Sequence, residues 1–354
     1  MTTPSARRRS DPAGWRGLVL SAISRSAFAC AAALLALGSL AAASENPAAR
    51  HAPDPTRRAH PLRRPAPAAT PIPGQPGEWL WPRGAPDAVG TAPADKPSLA
   101  FYFPDSARAN GAAVIVCPGG AYGMLARNKE GVEPSLWLQS LGVHAFLLDY
   151  RLGPVYHHPV EMGDALRAVR WVRANAARLH IDPRRIGMLG FSAGGHMAAM
   201  AATHFDLGDG NSHDPVERAS SRPDFQILIY PVISMQAPFA HRASRINLLG
   251  RSPDPATLDF TSVDQHVTDR TPPAFLVHAE SDPIVSFANS QAYAEALRNA
   301  RVPVEFLGFV QGGHAFGLAA EKTGDPGQAQ LATWPAQCAA WLDKMGFMGK
   351  SPHP

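Results

Sequence analysis

Cysteine is scarce in this chain, with three in 354 residues. Cys30 lies in a segment expected to be removed, and Cys117 and Cys338 alone define no disulfide framework. Charge is also low, at 18% of residues, yet 45% are hydrophobic. That balance excludes global disorder and provides for a sizeable core. No phosphate loop, dinucleotide fingerprint or metal-ligand spacing occurs. His157-His158 has no Cys or acidic partner at such a spacing and reads as a loop before a helix beginning after Pro159. The longest apolar run, Ala27 to Leu40, is shorter than the roughly 20 residues needed to span a bilayer.

Positive charge is confined to one end. Residues 1–76 hold ten Arg, no Lys and three acids, a charge of +7, against +4 for the whole chain, so the remainder carries −3. A mildly acidic folded part offers no nucleic-acid surface. The basic start, the apolar run and the small residues Ala41-Ala42-Ala43 predict a secretory signal over 1–43. Gly17 to Ala43 read as an uncleaved anchor is the competing expectation. Residues 44–76 are rich in Pro, Ala and Arg and predict an extended tether. A secreted or periplasmic protein follows, without stable membrane association once the signal is cleaved.

From Gly77 onward, apolar runs alternate with amphipathic stretches. Strands are expected at 99–103, 112–117, 143–148, 185–189, 225–230, 273–278 and 304–309. Helices are expected at 134–141, 161–179, 286–300 and 330–344. Met162, Ala165, Val169, Val172 and Ala176 recur at helical spacing. This alternation predicts an α/β fold with a mostly parallel central sheet and helices on both faces, one domain over 77–349.

The most informative stretch is Gly190-Phe191-Ser192-Ala193-Gly194. An apolar strand precedes it and Met197 to Ala202, rich in helix formers, follows it. Strand, tight turn and helix are the setting in which a serine becomes a nucleophile. Such a serine needs a base, and the base needs an orienting acid. After Ser192 the order acid then histidine is filled by Asp282 and His314, each just past the end of an expected strand. Glu280 competes with Asp282. His196 starts a helix and His278 ends a buried strand, so both are set aside as bases. Backbone amides must hold the developing oxyanion. Ala193 is one donor, and Gly120 and Ala121, after the strand ending at Cys117, are the others. Residues 237–270 are expected to form a loop or small cap, where Leu248, Leu249 and Phe260 line a pocket or pack into the core.

With these residues in hand, the chain resembles the acetylxylan-esterase-like and feruloyl-esterase-like branch of the α/β-hydrolases. The resemblance covers roughly 77–345. It rests on Cys-Pro-Gly-Gly-Ala-Tyr at 117–122, Asp149-Tyr150-Arg151-Leu152, and His158-Pro159 through Asp164. It rests also on Arg167-Ala168-Val169-Arg170, Ile181 to Ile186, the Ser192 motif through His196, and Thr271 to Phe275. It implies an α/β-hydrolase fold and the triad Ser192, Asp282, His314, with the oxyanion loop at Gly119 to Ala121. It implies removal of short acyl groups, acetyl first, from hemicellulose-type saccharides, without a cofactor. Lipase-type relatives carry His-Gly-Gly-Gly at the oxyanion loop; here Pro118 and Ala121 replace its first and last residues, which favours the carbohydrate-esterase side. Arg151 and Arg170 are expected in structural ion pairs. A prolyl-oligopeptidase-like peptidase and a non-catalytic binding protein of the same fold are the alternative readings.

Overall fold

The structure, a computed structural model, describes residues 75–319 and 326–349. The expected signal and all but the last two residues of the expected tether lie outside the described residues.

Strands β1 (Gly77–Trp79), β2 (Ser98–Tyr102), β3 (Ala113–Cys117), β4 (His144–Asp149), β5 (Ile186–Phe191), β6 (Phe225–Ile229), β7 (Ala274–Ala279) and β8 (Val304–Phe309) form one sheet. Their order is β1-β2-β4-β3-β5-β6-β7-β8. Pairings β1/β2 and β2/β4 are antiparallel and the others parallel. The helices are α1 (Glu133–Ser140), α2 (Val160–Ala174), α3 (Ala193–Thr203), α4 (Arg242–Leu249), α5 (Pro255–Phe260), α6 (Ala288–Asn299), α7 (Pro326–Leu331) and α8 (Trp334–Lys344).

The central strands are apolar throughout because helices cover both faces of the sheet. Ala113, Ile115 and Cys117 of β3 share a core with Val169 and Val172 of α2, Ala198 of α3 and Leu297 of α6. The alternate residues Val114 and Val116 pack with Leu138 of α1 and with Trp334 and Trp341 of α8. Period-two alternation along β3 thus fills two separate layers.

Chain direction across the sheet reverses beside β3. From β3 the chain steps to β4 on one side, and from β5 it steps outward through β6, β7 and β8 on the other. Loops following β3 and β5 therefore diverge at this switch point, where open α/β sheets form their crevice.

Three boundaries differ from the expectations. Helix α2 stops at Ala174 rather than 179: the Asn175 side chain takes the Trp171 carbonyl at 2.8 Å, and the Ile181 amide folds back to the Ala176 carbonyl at 2.8 Å. The last helix is broken in two, α8 restarting at Trp334 with Pro335 in its first turn, where a missing N–H does no harm. Strand β1, three residues long, was not among the expected strands. Cys117 and Cys338 are buried free thiols, and burial pushes both thiol pKa values up.

Candidate active site

Ser192 stands between β5 and α3 with φ 51° and ψ −118°, a conformation that costs a non-glycine residue about 1–3 kcal/mol. Three backbone bonds hold it there: its amide donates to the Ile229 carbonyl at 3.0 Å, and its carbonyl accepts from Val232 at 3.0 Å and from His196 at 3.2 Å. The turn is so tight that a Cβ on Gly194 would collide with the Cys117 carbonyl oxygen. Strand β3 can approach this closely only because position 194 lacks a side chain.

His314 reaches back from the loop after β8. Its Nε2 lies 3.0 Å from Ser192 Oγ and its Nδ1 lies 2.6 Å from Asp282 Oδ2. Asp282, in the turn after β7, also accepts the amides of Ile284 at 2.8 Å and Val285 at 3.0 Å through Oδ1. Burial pushes its carboxyl up, but the bonds from His278 and His314, the His314 charge and the Ile284 amide outweigh this and hold it well below the usual carboxylate range. Glu280, the competing acid, is exposed, and its recorded hydrogen bond runs from its backbone amide to Phe309. The three expected side chains are therefore brought together, with Asp282 in the acid position.

Two other histidines are satisfied elsewhere. His196 is fully buried between the Tyr122 hydroxyl at 2.8 Å from Nδ1 and the Thr261 carbonyl at 2.7 Å from Nε2, and burial pulls its pKa down to about 4. His157 holds the Asn247 carbonyl at 2.8 Å, in the loop before α2.

The loop after β3 runs beside the serine. Gly120, Ala121 and Tyr122 all have positive φ, at 127°, 54° and 61°. The amides of Gly120, Ala121 and Ala193 donate to no protein acceptor among the described residues. The Gly119 amide is instead taken by Glu130 Oε2 at 2.9 Å. From the 237–270 segment, Asn247 of α4 braces the loop by donating to the Ala121 carbonyl at 2.8 Å. Leu248 is buried in the core, and Leu249 and Phe260 pack against the same cluster, so the core reading of these residues holds.

A cleft of about 510 Å³ abuts Asp282, lined by Phe239, His241, Arg242, Glu280, Ile284 and Phe287 among others. A larger cavity of about 550 Å³, bounded by Trp79, Pro93, Asp95, Asp149 and Tyr156, is lined by none of the three residues of the array. Arg151 pairs with Asp164 at 2.6 Å, and Arg170 pairs with Asp206, so both arginines serve the scaffold.

Sequence reasoning missed Glu130 and Tyr230, and it passed over His278. Glu130 follows β3 by 13 residues with no local pattern to mark it. Tyr230, a phenol closing an apolar strand run, was the visible signal. His278 touches Asp282 rather than Ser192, as set out below.

A nucleophile-elbow serine on a parallel sheet, backed by histidine and aspartate on later loops, defines an α/β-hydrolase. Residues 99–297, more than half of the chain, match the BD-FAE family model, and the chain belongs to that family. The match covers Ser192 and Asp282 but stops short of His314, which the geometry supplies.

Among named relatives, the chain is 34% identical over 227 residues to an acetylxylan esterase of Xylanibacter ruminicola, covering 63% of this chain and 44% of that protein. It is 35% identical over 214 residues to endo-1,4-beta-xylanase B of Butyrivibrio fibrisolvens, covering 59% of this chain and 33% of that protein. The chain thus spans less than half the length of either. Among solved structures, it is similar to the acetyl ester-xyloside bifunctional hydrolase of Caldicellulosiruptor lactoaceticus, with a TM-score of 0.72 and 42% identity, over 78% of this chain and 98% of that one.

Proposed function

We propose that this protein is a serine carboxylesterase that removes short acyl groups, acetyl foremost, from hemicellulose-type saccharides. The observation that carries the reading is the Ser192–His314–Asp282 array, with contacts of 3.0 and 2.6 Å. Its likeness to an acetyl ester-xyloside hydrolase across nearly the whole of that chain supports the substrate class.

In the proposed reaction Ser192 Oγ attacks the ester carbonyl while His314 Nε2 takes its proton. Asp282 keeps the proton on Nδ1 and stabilises the imidazolium. The amides of Ala193, Gly120 and Ala121 receive the oxyanion; one such donor is worth about a hundredfold or more in kcat. His314 then protonates the departing sugar hydroxyl. Water, activated by His314, releases the acid from the acyl-enzyme. The strained backbone at Ser192 holds Oγ within 3.0 Å of His314 Nε2.

Residues 1–43 serve as a secretory signal and 44–76 as a tether ahead of a catalytic domain at 77–349, placing the enzyme outside the cytoplasm. N-terminal sequencing of the protein from its host would find a start near Ser44.

The test is acetate release from acetylated xylan, with Ser192→Ala as the blank. Serine-dependent release is expected. Hydrolysis of small acetyl esters without release from xylan would discard the polysaccharide, and equal activity in Ser192→Ala would discard the mechanism.

A further inference from the structure

Glu130 is 3% exposed and sits in a π-helical turn, Asn128–Val132, that runs into α1. Its Oε2 accepts the Gly119 amide at 2.9 Å and its Oε1 accepts the Tyr230 hydroxyl at 2.9 Å. That hydroxyl in turn accepts the Gly317 amide at 3.0 Å. Gly119 immediately precedes the two free amides of the β3 loop. Gly317 lies three residues past His314. The Tyr230 ring also packs on the His314 ring, with centroids 4.7 Å apart. One carboxylate therefore bonds the oxyanion loop directly and the histidine loop through a single phenol.

The donors around the carboxyl favour its charged form, against a burial that raises its pKa overall. The phenol has one proton, and because its oxygen accepts from Gly317, that proton goes to Glu130. Both carboxylate oxygens are then acceptors, an arrangement that suits the ionised form. Burial pushes the carboxyl up, and the Tyr230 and Gly119 bonds, then the His314 and Lys129 charges, pull against it. The approach is close as well: a Cβ on Gly119 would lie 2.6 Å from Glu130 Oε2 and 2.9 Å from Ser192 Cβ.

We propose that Glu130 is a positioning residue for the same reaction, setting the oxyanion loop and His314 relative to each other and adding a second buried negative charge beside Asp282 that favours the imidazolium. The inference rests on the esterase reading. The groups facing Glu130 are the Gly119 amide from the β3 loop, Tyr150 from the end of β4, Tyr230 from the end of β6, His314 from the β8 loop, and Lys129 from its own turn.

Glu130→Gln keeps the shape and removes the charge. Its amide oxygen can still take the Gly119 N–H, but its NH₂ meets a hydroxyl whose proton then has no acceptor. With 4-nitrophenyl acetate, kcat is expected to fall about tenfold or more, with KM little changed, because misplacement acts on the transition state. The acid limb of kcat/KM is expected to move to lower pH, since the imidazolium loses a negative neighbour. A merely structural role would leave that limb in place. Tyr230→Phe keeps the charge and cuts the bridge to Gly317, so kcat falls while the limb stays. A folded Glu130→Gln with wild-type kcat, or with an unmoved acid limb, overturns the proposal. Should that variant fail to fold, wild-type kcat in Tyr230→Phe overturns it instead. Retained activity in Ser192→Ala would strike the esterase reading, whereas an inactive Ser192→Ala beside an unaffected Glu130→Gln strikes only this one.

Discussion

His278 Nε2 lies 3.1 Å from Asp282 Oδ2, the same oxygen that holds His314 at 2.6 Å. His278 is fully buried, its Nε2 also faces the Val285 carbonyl at 3.1 Å, and its Nδ1 meets the Ser290 hydroxyl at 2.8 Å. Nε2, between a carboxylate and a carbonyl oxygen, is therefore a donor. Asp282 thus takes two imidazole N–H groups on one oxygen and two amides on the other. Asn at 282 would have to turn an NH₂ toward donors on either side. Asp282→Asn is expected to lower kcat about a thousandfold or more, by analogy with other triads that lose their acid. Glu280→Gln, two residues away, is expected to match wild type. Steady-state kinetics on a small acetyl ester check both, and equal losses would remove Asp282 from its assigned place.

Gly194→Ala tests the elbow. The added methyl collides with the backbone of β3 rather than with a movable side chain. Stability is expected to fall by about 1–3 kcal/mol or more. The thermal midpoint would drop by several degrees, with esterase activity lost ahead of the fold. A variant as stable and active as wild type would show that β5 and β3 do not pack as described.

His196 makes stability depend on pH. Unfolded, the imidazole titrates near 6.5; folded, burial holds it at about 4. The unfolded chain therefore binds more protons between these values, and stability falls as pH drops from about 6.5 toward 4. The full effect is on the order of 3 kcal/mol. Urea midpoints for wild type and His196→Gln should converge as pH is lowered through this window. Parallel curves would refute the assignment.

Glu161 acts from the alkaline side. It is fully buried, neither carboxylate oxygen has a hydrogen-bond partner among the described residues, and its pKa is raised to about 8, first by burial and then by Asp164. The unfolded side chain ionises near 4.5, so between that pH and about 8 the folded state holds the extra proton. Stability should decline as pH rises through this window. Glu161→Gln is expected to gain on wild type from pH 5 to about pH 8 and to level off above it, measured by thermal melts. A constant difference would mean that the carboxyl is ionised in the fold.

The elbow, the acid and the base were legible because their chemistry constrains both order and position. Ser192 requires small neighbours, and Asp282 and His314 must follow strands. Asp282 over Glu280 follows from its place further past the strand end, where the carboxylate meets His314 while Glu280 stays exposed. A short carboxylate can accept the amides of Ile284 and Val285 in its own turn and still reach His314. Glu130 was not legible: its partner Tyr230 is 100 residues away, and no periodicity links positions that meet only across loops. The end of α2 is marked by Asn175, whose side chain shares the Trp171 carbonyl with its own backbone amide, a local bond that leaves no periodic signal. Strand β1 is too short, at three residues, to show an alternation.

Trp334, at the start of α8, donates its indole N–H to the Gly317 carbonyl at 3.0 Å, within the loop that carries His314. Ser192 and His314 are 122 residues apart, and this clamp comes later still. During synthesis, then, the serine leaves the ribosome well before its partner, and the indole clamp on the partner's loop forms only once α8 has docked. Chain order thus puts the last brace of the histidine loop downstream of all three side chains that it serves.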